Sequence, residues 1–73
     1  MTLTNQQKLV MDRLNRGGTL VWIPSIKLAR FLNRQGHVYA KTFEALRAKG
    51  VLVLHQHVPG RDGLPDRELW RAA

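Results

Sequence analysis

The segment from Ile23 to Val53, IPSIKLARFLNRQGHVYAKTFEALRAKGVLV, decides how this chain is read, because it holds two apolar patterns of helical period with a turn between them. Pro24 and Ser25 open the first, with Ser25 as the N-cap whose side chain satisfies a free backbone amide. Ile26, Leu28, Ala29 and Leu32 then recur on one side, predicting a helix from Ser25 to about Arg34 that stops before Gly36. From Val38 the pattern resumes through Tyr39, Phe43 and Leu46, predicting a further helix over about 37–49. Gly50 is placed to take the left-handed conformation that ends it.

On the N-terminal side, Thr4 and Gln7 have the spacing of a capping box, Leu3, Val10, Met11 and Leu14 form an apolar face, and Gly17 and Gly18 stop the helix. Thr19 to Ile23 is β-rich and too short for a helix, and reads as a strand. On the C-terminal side, Val51 to Val58 and Leu64 to Trp70 read as two strands of a hairpin whose tip is Pro59 to Gly63. The expected architecture is α+β: one domain over residues 1–73, ordered helix, strand, helix, helix, strand, strand, with three helices and a small antiparallel sheet.

That order, with Pro24–Ser25, the Leu28–Ala29 pair, Phe43, Leu46, Gly50, Val51 and Leu52 in their places, resembles the winged helix-turn-helix DNA-binding domain of gluconate-repressor (GntR) type regulators. Asn33 and Arg34 stand where the family's turn has Gly and an apolar residue. The resemblance implies that Ala29 is small where two helices cross, that Leu28, Leu32, Phe43 and Leu46 fill the space between them, and that the protein acts as a sequence-specific regulator. In these 73 residues no effector domain follows the wing, so no small-molecule effector is expected.

Composition points the same way. Twelve Lys and Arg against five Asp and Glu give a net charge of +7, a field whose commonest partner is a phosphate backbone. With 44% apolar and 23% charged residues the chain is an ordinary globular one, and without cysteine it has neither disulfides nor thiolate metal sites. No signal-peptide pattern or membrane-length apolar run is present, so a cytoplasmic protein without a membrane partner is expected.

In a helix-turn-helix module the second helix enters the major groove. Docking geometry therefore nominates Gln35, His37, Ala40 and Lys41 for base readout: amide and imidazole to base edges, a methyl to thymine, an ammonium to guanine or phosphate. Ser25, Lys27, Arg30 and Arg34 on the preceding helix, and Arg61 in the wing at 58–64, are nominated for the DNA backbone. The plain alternative for each is a solvated surface charge; for Arg61 the neighbouring Asp62 favours that alternative. Trp22 and Trp70 fall within predicted strands and read as core residues rather than as stacking platforms.

His55 and His57 alternate along a strand, but a zinc site needs a third or fourth ligand and none is near in sequence, so no metal or cofactor is expected. The five acidic residues form no catalytic pair and no Gly-rich phosphate loop is present, which argues against an enzyme. A regulator of this size gains specificity as a homodimer, with the first helix or the C-terminal strand as its contact. Two rival readings are an architectural or recombination-directionality factor that bends DNA and a winged-helix module that grips a protein.

Overall fold

The computed structural model describes residues 3–32 and 37–73. Helix α1 (Asn5–Asn15) leads into strands β1 (Leu20–Ile23), β2 (Leu28–Phe31) and β3 (His37–Val38), then helix α2 (Ala40–Ala48), then strands β4 (Leu52–Val58) and β5 (Arg67–Ala72). All neighbouring strands pair antiparallel in one sheet of order β3-β2-β1-β5-β4. The α+β class holds, whereas the three helices and the winged order do not.

Both helices obey their local signals. Thr4 Oγ1 accepts the Gln7 N–H at 3.2 Å, and Gln7 Oε1 accepts the Thr4 N–H at 3.1 Å, which closes the capping box on α1. At its other end Gly17, at φ +95°, and Gly18 donate to Leu14 O and Arg13 O. Gly50, at φ +74°, and Val51 repeat that pairing on Arg47 O and Leu46 O behind α2. These are the two crossed bonds that satisfy the last carbonyls of a helix, and they require a left-handed residue at its exit.

The helix expected from Ser25 to Arg34 is absent over its described part. Pro24 to Lys27 form a turn instead, closed by Ile26 N–H to Ile23 O and Lys27 N–H to Pro24 O at 3.3 Å each, with Lys27 at φ +49°. Strand β2 follows. The burial pattern shows why: Ile26 and Leu32, counted on the inner stripe of a helix, are 62% and 43% exposed, while Phe31 is 7% exposed. The buried pair is Ala29 and Phe31, a spacing of two that faces Trp22 and Leu20 across the ladder. Without that helix the described residues hold no helix-turn-helix pair, and Ser25 sits in a turn rather than at a helix start. Ala29 is small because it lies under Trp22 and α2 in the sheet, not at a helix crossing.

The core lies between the two helices and one sheet face. Val10, Leu14, Phe43 and Leu46 from the helices meet Leu20, Trp22, Ala29, Phe31, Val38 and Leu52 from the strands. Phe43 stacks on Trp22 with ring centroids 4.3 Å apart and meets Trp70 edge to face at 5.6 Å, so Trp22 is a core residue and Trp70 packs half-buried against the core. The C-terminal strand β5 is flanked on both sides, by β1 and β4, and offers no free edge for the expected dimer contact; the exposed sheet edge beside it is β4. Among the described residues no helix is long and apolar enough to cross a membrane.

Candidate nucleic-acid interface

Alternation along the strands sends every second side chain to the face that the helices leave open. Val21 and Ile23 from β1, Arg30 from β2, Arg67, Leu69 and Arg71 from β5 and Val53 from β4 stand there, by the register Val21↔Arg30, Val21↔Leu69, Val53↔Arg71 and Val58↔Arg67. Val21 and Ile23 are only 2% and 7% exposed although no described helix crosses this face. Their neighbours in register are longer, and an arginine covers apolar surface with its methylene stem while its guanidinium stays in water. The result is a shallow apolar floor under a layer of cations.

No carboxylate stands among these cations in the described strands. Glu68 is on the other face, opposite Trp22, where its Oε1 accepts the Trp70 indole N–H at 3.0 Å. Glu44 is on α2, and Asp12 on α1 pairs with Arg16 at 3.3 Å. Arg71 Nε donates to Thr19 Oγ1 at 3.4 Å, a neutral partner that steadies the side chain and leaves its charge uncompensated. Arg30 and Arg67 have no ion-pair partner among the described residues.

Helix-side cations are placed differently. Arg13 lies over the Phe31 ring at 5.0 Å, Arg47 over Phe43 at 5.4 Å, and Lys49 Nζ donates to Gln7 Oε1 at 2.6 Å. Each is tied to the core or to a cap and closes the edge of the apolar layer.

The open face ends at two turns. Strand β1 runs antiparallel to β5, so the Pro24–Lys27 turn emerges beside the β4–β5 loop, and a cleft of about 570 Å³ between them is lined by Pro24, Ser25, Gly60, Arg61, Gly63, Leu64, Pro65 and Asp66. The loop is fastened by Gly60 N–H to Asp66 Oδ1 at 2.5 Å and Leu64 N–H to Arg61 O at 2.9 Å, with Asp62 and Gly63 in left-handed conformations at φ +53° and +83°.

The residues nominated from sequence therefore divide. Ser25 and Arg61 come together at the cleft, Lys27 ends the turn that carries Ser25, and Arg30 lies on the open face, none of them on a helix. Ala40 and Lys41 are in the first turn of α2; Ala40 packs against the core and Lys41 is exposed. His37 pairs in backbone register with Arg30, on β3 rather than at the head of a helix. Arg34 and Gln35 lie outside the described residues. Arg67 and Arg71 were not nominated, although the alternation in Arg67-Glu68-Leu69-Trp70-Arg71 signals them once this stretch is taken as a strand with Trp70 inward.

The strand carrying His55 and His57 has a register shift between Leu54 and Gln56, which interrupts the alternation that would put both imidazoles on one face. Among the described residues no three His, Asp or Glu are grouped to hold a metal ion. Comparison with protein-family models, with curated proteins and with solved structures gives no match to this chain.

Proposed function

We propose that this chain is a small double-stranded DNA-binding protein, of the kind that regulates transcription, and that it docks through the open face and the turn end of its sheet. The observation that carries this reading is the run of Arg30, Arg67 and Arg71 on a strand face free of carboxylates, continued by Lys27 and Arg61 at the turns. Cations without carboxylate partners are available to displace counterions from phosphates, which is where the affinity of such interfaces originates.

The arrangement favours a duplex over a single strand. Single-strand binders stack bases on exposed aromatic rings. Here Trp22, Phe31, Phe43 and Trp70 are all on the helix side of the sheet, and the exposed ring of Tyr39 is at the head of α2 rather than in a row of stacking platforms. Gln56, exposed on β4 opposite Leu69, stands on the open face beside the arginines and offers an amide to base edges. Base readout then belongs to this sheet face rather than to α2.

Titration of a fluorescent random-pool duplex at low and moderate salt, followed by selection and sequencing of the bound fraction, tests the reading. Five neutralised phosphates give a slope of log K against log salt near about −4.5. Enrichment of one motif supports a regulator. Absence of binding at low salt, or equal affinity for an acidic protein surface and for duplex, sinks the proposal.

A further inference from the structure

We infer that Ile26 and Leu64 form an apolar wedge at the turn end of the sheet that enters between base pairs of a bound duplex and bends it. This deepens the proposed function and rests on it. Both side chains are 62% exposed at one end of the sheet: Leu64 lines the cleft, and Ile26 follows directly after Pro24 and Ser25, which line it from the other turn. Isolated exposed aliphatics are ordinary on a protein surface. These two differ in being carried on turns that the backbone holds firmly and in being flanked by cations.

The firmness is visible at each turn. Ile26 is the third residue of a turn closed by two backbone hydrogen bonds, with Lys27 held left-handed directly after it. Leu64 is bonded back to Arg61, and the Asp66 carboxylate pins Gly60 across the loop. A Cβ on Gly60 would run into the Leu64 carbonyl oxygen and the backbone of Pro65, so the loop closes as tightly as glycine permits. A rigidly presented aliphatic loses little freedom on insertion, and proteins that kink DNA use Leu, Ile and Pro in this way, at the cost of one unstacked base step.

Charge selects the occupant. Lys27 and Arg61 border the two aliphatics with Asp62 and Asp66 beside them, and Arg30 and Arg67 on the adjoining sheet face supply the net positive track, so a backbone held by those arginines runs toward the wedge. A lipid surface fits less well: neither turn carries the Trp or Tyr that anchors proteins at a membrane interface.

The test is a short duplex labelled at both ends for energy transfer, titrated with the whole chain, with Ile26→Ala/Leu64→Ala and with Lys27→Ala/Arg61→Ala, each checked for folding by circular dichroism. The parent chain is expected to bring the ends together. The aliphatic double variant is expected to bind within about threefold of the parent while leaving the duplex unbent. The cation double variant is expected to lose about tenfold or more in affinity and to bend the duplex at saturation. Binding with unbent ends by the parent, or equal bending by the aliphatic double variant, overturns the wedge and leaves DNA binding standing. Failure of the parent to bind duplex at low salt overturns both, and binding to phosphatidylglycerol vesicles in that case assigns the tip to a membrane.

Discussion

Two faces of one sheet share the same strands and differ in every property that matters. On the covered face Leu20, Trp22, Ala29, Phe31 and Trp70 meet two helices, and the cations nearby lie over rings or donate to a buried amide. On the open face Arg30, Arg67 and Arg71 rise from a floor of Val21, Ile23 and Leu69 with no carboxylate on the strands to meet them. The difference teaches that charge count alone locates nothing in this chain. What sets these arginines apart is that the strands that carry them offer no carboxylate on their face.

Perturbing each face should produce different losses. Phe43→Ala removes the ring that stacks on Trp22 and meets Trp70, and should cost about 3 to 5 kcal/mol in urea or thermal unfolding. Duplex affinity should then fall only as the folded fraction falls. Replacing Arg30, Arg67 and Arg71 together by Gln, which removes the charge and keeps part of each stem over Val21 and Ile23, should do the reverse: unfolding stays close to that of the parent, affinity at fixed salt drops at least about tenfold, and the salt slope flattens by about 2.7, at about 0.9 for each phosphate contact. Lys41→Ala is the sharpest single challenge to this contrast, because a loss as large as that of the triple variant would return the interface to α2.

Smaller effects refine the contrast. Gly50→Ala should destabilise by about 1 kcal/mol, since there is open space for the methyl group but the left-handed backbone resists it; the measurement is urea unfolding, with duplex affinity unchanged. Lys27→Gly should separate stability from binding. Relief of a left-handed lysine raises stability by a few tenths to about 1 kcal/mol, and loss of the cation lowers duplex affinity. A Lys27→Gly protein that binds as well as the parent would remove the turn end from the interface.

Legibility in the sequence followed how local each cause was. The capping pair Thr4 and Gln7, the helix exits at Gly17 and Gly50 and the strand from Leu20 are each dictated within a few residues, and they were readable as such. The stretch after Pro24 was not. Ile26, Leu28, Ala29 and Leu32 satisfy a helical period over too short a span to exclude alternation, and only pairing with β1, which depends on the whole sheet, selects Ala29 and Phe31 as the inner pair. The resemblance to a winged helix failed at this same place, because it rested on a second helix there.

The candidate site was half legible for the same reason. Lys27, Arg30 and Arg61 are nominated as helix and wing residues and stand instead on a turn, a strand and a loop. Arg67 and Arg71 were passed over because a face can be assigned to a strand only after its inward residue is known, and Trp70 supplies that knowledge through Phe43.

The register shift at His55 also bears on whether the protein stays in solution. Strand β4 is an edge, its Val53 and Leu54 are 49% and 47% exposed, and it carries neither the proline nor the lysine that commonly guards such edges. An unbroken ladder of that length would be an invitation to stray strands from other molecules. Interrupting it between Leu54 and Gln56 leaves two short runs on either side, each too brief to seed a growing stack, so a single extra residue keeps a sticky border from becoming an aggregation site.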